Sequence, residues 1–267
     1  MKGVNGIRKT TSVYQSWFPA LLAESIIVPD GVNFNEGVAL PCGENSFFRQ
    51  LDHMIATLIN HNFQTMYDLT SKSFDFKKSP DAPPPSVVQE YSDYKAAMFS
   101  RYRTLSEILG VLLVREAQKA NINVMIETSG RDIAMFHYVD SFFPASKYNK
   151  LALHFTINDL TCAESSVDSR MIQEMRDGIK AMELSNINDI IKANAGGPYG
   201  SEVLKGIQSA SDSVWEKIMQ GEESVGDNWF KANIKIIADK HNDWSAKAVL
   251  PDGSDGEMYT FEAPRKV

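Results

Sequence analysis

The chain has 267 residues, a size that buries a substantial core and suits one large α/β domain as well as two smaller ones. Hydrophobic residues make up 43% and charged residues 23%, which excludes wholesale disorder, and no run reaches the ~20 apolar residues of a membrane helix. Lys and Arg total 27 against 34 Asp and Glu, a formal charge of −7 that argues against general nucleic-acid binding; two distant cysteines, Cys42 and Cys162, and a start without an apolar leader fit a reducing, cytoplasmic setting.

The first feature in chain order is Gly3-Val4-Asn5-Gly6-Ile7-Arg8-Lys9-Thr10-Thr11. It follows the spacing of a phosphate loop, in which glycines let backbone N–H groups curl around phosphates, a Lys reaches the terminal phosphates and a hydroxyl holds Mg²⁺. Arg8 stands where the second obligatory glycine belongs, and its Cβ is expected to crowd a phosphate or forbid the backbone angles. Only Met1 and Lys2 precede Gly3, too few for the strand that such a loop normally follows. The same stretch therefore also reads as an irregular basic arm.

Residues 12–24 carry apolar side chains at helical spacing, with Pro19 expected to kink or end the helix. Ile26-Ile27-Val28 reads as a short buried strand closed by Pro29-Asp30-Gly31. A helix is predicted over 46–68, capped by Asn45 or Ser46, and a proline-rich surface loop over 77–86. Apolar periodicity then predicts a long helix over 87–119. Next come a strand at Ile122–Ile126, a helix at Arg131–Phe143, a strand at Leu151–Ile157 and a charged helix from Ser165 to about Lys180, an alternation that implies parallel pairing. Short β-like runs at 234–238, 244–250 and 258–261, with Asp252-Gly253 and Asp255-Gly256 as turns, suggest a small antiparallel addition at the sheet's edge.

In an open parallel sheet, ligands bind beyond the carboxyl ends of the strands. Two ends carry chemistry: Asp30 after the first strand, and Glu127-Thr128-Ser129-Gly130-Arg131 after the 122–126 run. Asp30 could activate an acceptor hydroxyl or simply form a turn; Glu127, Thr128 and Arg131 could bind hydroxyls and an anion, or serve as caps and surface charges. The five histidines show no zinc spacing, and His154, inside an apolar strand, reads as a core residue. Asn194 to Gly200 reads as a glycine-rich turn or an anion loop, and Trp215, Trp229 and Trp244 as core for the C-terminal addition.

Taken in order, the Gly3–Thr11 loop, the strand ending in Asp30, the Glu127–Arg131 strand end and a helix bearing Arg170 and Arg176 resemble the zeta toxin family of P-loop kinases, over Gly3 to about Arg176. The resemblance implies a three-layer P-loop kinase-like α/β domain over 1–267, mainly parallel, with a helical insertion at 45–119 and a β-rich C-terminal edge at 228–267. It implies ATP or GTP bound by Gly3, Gly6, Lys9, Thr10 and Thr11, with Mg²⁺ on Thr10. A small-molecule substrate such as the nucleotide sugar UDP-N-acetylglucosamine would be held by Glu127, Thr128 and Arg131, and catalysis would involve Lys9, Asp30 and the lid residues Arg170 and Arg176. The family's general base is the second Asp of D-x-D, where Val32 stands here, so base catalysis would move to Asp30 or be absent. The alternative is a nucleotide-binding or scaffolding protein without turnover.

Overall fold

Pro19 starts a helix rather than breaking one. In the computed structural model, which describes residues 1–31, 47–79, 82–194, 200–222, 225–239 and 243–262, the 12–24 stretch divides into α1 (Lys9–Val13) and α2 (Phe18–Ser25), with Pro19 in the first turn of α2. A missing N–H costs nothing there because that group has no intrahelical acceptor. Expectations for Val32, Cys42, Asn45, Ser46 and residues 195–199 lie outside the described residues.

The chain divides into two units, one formed by Met1–Gly43, Asn123–Ala163 and Leu204–Val267, the other by Glu44–Ile122 and Glu164–Val203. The first unit holds the sheet: β1 (Ile26–Ile27), β2 (Leu151–Ile157), β3 (Phe230–Ala238), β4 (Trp244–Val249) and β5 (Asp255–Thr260). β2 pairs with β3 in parallel, but β1 with β3, β3 with β4 and β4 with β5 are all antiparallel. The expected mainly parallel P-loop sheet is therefore overturned: the sheet is a predominantly antiparallel, curled half-barrel. Two physical causes account for this. The 122–126 run forms no ladder strand, only isolated bridges nearby. The C-terminal strands, joined by a tight turn at Asp252-Gly253 in which Gly253 takes φ +85°, supply antiparallel pairs that need no crossover helix. Of these strands β5 does lie at the sheet's edge, but β3 does not. β3 lies inside the sheet, flanked by β2 on one side and by β1 and β4, end to end, on the other.

α2 packs on β3, β4 and β5. Near β2, Phe136 of α7 (Ala134–Phe142) and Val214, Trp215 and Ile218 of α10 (Ile207–Met219) enclose Ala152 and Trp229 in one apolar cluster. Trp215, Trp229 and Trp244 are all buried, as core residues of this unit.

The second unit is helical: α3 (Phe47–Leu58), α4 (Asn60–Ser73), α5 (Pro85–Arg101), α6 (Arg103–Ala120), the part of α8 (Leu160–Glu183) from Glu164 on, and α9 (Ile187–Ala193). The predicted 46–68 and 87–119 helices each divide in two, the latter at Tyr102. Its core contains an ion pair. Lys95 donates to Glu174 Oε1, which also accepts from Tyr91 Oη at 2.6 Å, and the Tyr67 ring stacks beside Tyr91. Desolvation lowers the pKa of Lys95 and raises that of Tyr91 well above 10. Gly178 makes room for this network, since a Cβ there would lie 1.9 Å from the Tyr67 ring. Among the described residues no helix is long and apolar enough to cross a membrane.

A buried pair holds its energy in mutual compensation, so removing one partner costs more than replacing both. Glu174→Leu, which strands Lys95, is expected to lower unfolding free energy by ~3–5 kcal/mol, and Lys95→Met added to it to restore most of that loss, both read by urea denaturation.

Candidate phosphate-loop site

Two residues suffice to bridge the chain's start to the sheet. Lys2 forms parallel bridges with Thr128 on one side and His154 on the other. Its N–H donates to Leu153 O at 2.8 Å and its carbonyl accepts from Phe155 N at 2.9 Å; Thr128 N donates to Met1 O, and the Met1 nitrogen to Ile126 O. The contact is an isolated bridge outside the named strands, so no full strand precedes the loop, as expected, but its backbone is tied to the sheet on one side and to Thr128 on the other.

Gly3 follows at once, with φ +137° and a position where a Cβ would meet Phe155 O at 2.4 Å. Only glycine fits so close an approach to backbone. The chain then turns through Gly6 (φ +82°) and Arg8 (φ +59°) into α1, burying Val4 and Ile7. The Lys9 amine folds back and donates to Gly3 O at 2.9 Å and Val4 O at 2.6 Å, closing the loop around its own buried side chain. Thr10 Oγ1 lies 2.8 Å from both carboxylate oxygens of Glu127. Thr11 is exposed on the outer side of α1.

Arg8 does not forbid the loop. It adopts the left-handed angles that a glycine would take, and its guanidinium lies over Trp244 at 4.8 Å and Phe261 at 5.5 Å. A left-handed non-glycine residue costs about 1–3 kcal/mol, and a guanidinium over indole returns about 0.5–2 kcal/mol, so the two effects nearly offset. Phe261 belongs to a wider aromatic group: Trp17 stacks on Tyr259, meets Phe261 edge-on and donates through Nε1 to Thr260 O. This group fastens the segment after β5 to the residues that follow α1.

The remaining expected site residues separate. Glu127 joins the loop through Thr10. Thr128 serves the backbone, its N–H on Met1 O and its Oγ1 accepting from Gly130 N at 3.1 Å, and Arg131 is exposed. Asp30 lies elsewhere. Because β1 runs antiparallel to β3, with Ile26 opposite Ala232 and Ile27 opposite Lys231, it carries the chain toward Phe230, whereas Gly3 leaves the sheet beside Phe155 and thus toward Ile234. Asp30 is exposed in the turn at the end of the sheet opposite the loop. The shared carboxyl edge expected for it required a parallel first strand. Arg170 and Arg176 sit on α8 in the second unit, Arg170 exposed and Arg176 half-buried with its guanidinium 5.6 Å from the Phe76 ring.

Lys2 was missed by sequence reasoning, as were its neighbours Ser211 and Asp212 on α10, whereas Trp215 was read as a core residue. A lysine at the start of a chain looks like surface charge, and only the bridge to His154 places it in the interior. No family model, curated protein or solved structure matches the chain.

Arg8 gives the site a direct test. Both Arg8→Gly and Arg8→Ala lose the aromatic stacking, but alanine keeps the left-handed strain and glycine relieves it. Arg8→Ala is expected to be less stable than Arg8→Gly by ~1 kcal/mol in chemical denaturation, with Arg8→Gly within about 1 kcal/mol of the parent chain.

Proposed function

We propose that the first unit binds the phosphates of a nucleoside triphosphate in the Gly3–Thr10 loop, with Mg²⁺ at Thr10, and that it acts by binding rather than by phosphoryl transfer. The observation that carries the reading is the local context of the loop: an extended segment paired on both sides, a turn through two glycines and a left-handed Arg8, and a helix begun by a lysine whose amine lies inside the turn. That order, a bridged extended segment, a loop and a helix, approximates the strand–loop–helix context a phosphate-loop sequence needs. Mg²⁺ takes oxygen ligands and keeps several waters, so one hydroxyl, one carboxylate and the nucleotide's own phosphates make a sufficient set. Thr10 Oγ1 and Glu127, already 2.8 Å apart, fit it.

Lys9 would exchange its bonds to Gly3 O and Val4 O for phosphate oxygens, a charge-assisted contact that strengthens as the carbonyls are released. Glu127, expected on the sequence to hold substrate, is here assigned to orienting Thr10 and the metal's water shell. The acceptor side lacks its base. Val32 cannot take a proton, and Asp30 leaves the sheet at the other end. Phosphoryl transfer depends on positioning these groups around the reacting oxygens, so their separation supports the binding reading over turnover.

Calorimetric titration with ATP or GTP in Mg²⁺ tests this. Lys9→Ala is expected to weaken binding by ~1.5–3 kcal/mol, about tenfold to a hundredfold, and Thr10→Val to reduce its dependence on Mg²⁺. Asp30→Asn is expected to change nothing. A folded parent chain that binds neither nucleotide at millimolar concentration, or a Lys9→Ala chain that binds as well as the parent, rejects the reading, and transfer of the γ-phosphate abolished by Asp30→Asn restores the kinase.

A further inference from the structure

Behind the loop, on the face of the sheet covered by α10, lies a buried polar cluster with no part in phosphate binding. Its members come from four places. Lys2 precedes the loop, His154 lies beside it on β2, Asn233 is His154's register partner on β3, and Ser211, Asp212 and Trp215 face them from α10. Lys2 is buried; its amine donates to Ser211 O and lies 5.3 Å from the centre of the Trp215 ring. Its stem runs over Gly130, where a Cβ would come within 2.6 Å of Lys2 Cβ and where φ is +67°, so the passage admits only glycine.

His154 is buried between two oxygens, with Nδ1 3.2 Å from Asn233 Oδ1 and Nε2 3.1 Å from Asp212 Oδ1. The second separation is that of an ion pair, yet neither His154 Nε2 nor Asp212 Oδ1 has a hydrogen-bond partner in alignment, and Ser211 Oγ and Trp215 Nε1 are buried without one as well. The charges do not balance two against two. Asp212 favours the proton on both bases, while Lys2 opposes it on His154. Of the two lysines that flank Asn233 on that face of β3, Lys231 has Asp227 as a counter-charge and Lys235 interacts with Asp255. One carboxylate thus serves two buried bases.

We propose that Lys2, Asp212 and His154 form a proton-linked anchor for the Gly3–Thr10 loop: the single carboxylate can compensate only one of the two buried bases, so the Met1–Lys2 segment is docked most firmly when both are neutral and is loosened by each proton, most by the second. The loop responds because Gly3 is the residue after Lys2 and is pressed against Phe155 O, one residue beyond His154. The device holds whatever the loop binds. Desolvation lowers the Lys2 pKa from 10.5 to about 7 and lowers that of His154 from 6.5. A base held below its ordinary pKa takes up its proton in the unfolded chain first. Stability therefore falls as pH drops from 10.5 toward about 7 through Lys2, from 8.0 toward about 5 through the desolvated Met1 amine beside it, and below 6.5 through His154.

Thermal unfolding from pH 5 to 9.5, compared with the parent at each pH, tests the assignment. His154→Gln is expected to flatten the decline below pH 6.5, and Lys2→Met, of similar volume and no charge, to flatten the rise above pH 7. Asp212→Asn is expected to be destabilised most at acidic pH and to approach the parent at pH 9.5, where Lys2 is neutral. Hydrogen exchange supplies the local readout: after correction for intrinsic rates, peptides covering 1–8 and 151–157 should exchange at least about fivefold faster at pH 5.5 than at 7.5 in the parent, and by a clearly smaller factor in His154→Gln, in which the Met1 amine alone still titrates. Three pH profiles parallel to the parent, or an exchange change spread evenly over the first unit, overturn the proposal. Should Asp212→Asn fail to fold, the Lys2→Met and His154→Gln profiles decide it alone.

Discussion

The backbone pairing of Lys2 with β2 is the constraint on which the first unit's site depends. Two hydrogen bonds, Lys2 N to Leu153 O and Phe155 N to Lys2 O, place the residue before the loop inside the sheet. From that placement follow the close approach of Gly3 to Phe155 O, the burial of Val4 and Ile7, and the depth at which the Lys9 amine finds the carbonyls of Gly3 and Val4. The same pairing buries the Lys2 side chain on the α10 face, so one residue anchors the loop with its backbone and charges the core with its side chain.

Such a charge is expensive. An isolated ammonium in an apolar interior would shed its proton, and Lys2 is held by three partial compensations: the Ser211 carbonyl, the face of Trp215 and the nearby Asp212. The second unit solves a similar problem differently. Lys95 has its own carboxylate, Glu174, and a tyrosine hydroxyl to complete it, so its charge is matched one for one. The first arrangement shares one anion between two bases and responds to protons; the second gives each charge its own partner and confers rigidity.

Arg8 shows how a substitution that looks disabling can be absorbed. The loop requires a left-handed residue at that point, and the strain of placing arginine there is offset where Trp244 and Phe261 receive its guanidinium. Trp244 begins β4 and Phe261 directly follows β5. Those strands therefore do more than close the sheet, because they hold the loop in a shape its own sequence does not favour.

Local signals determined a good deal by themselves. The apolar run at Leu151–Ile157 is β2, the Asp252-Gly253 turn joins two strands whereas Asp255-Gly256, also read as a turn, begins β5, and the helical periodicities at 46–68, 87–119 and 165–180 all mark helices, though with different breaks and ends. The glycine, lysine and threonine spacing of the loop was also legible, because it depends on residues within eight positions of one another. Strand direction was not. Whether Ile26-Ile27 runs with or against β3 is set by which distant strand it meets, and that choice moved Asp30 to the far end of the sheet. The burial of Lys2 and its grouping with His154 and Asp212 were equally invisible, since these three are brought together by a parallel bridge and a helix packed across it rather than by any spacing along the chain.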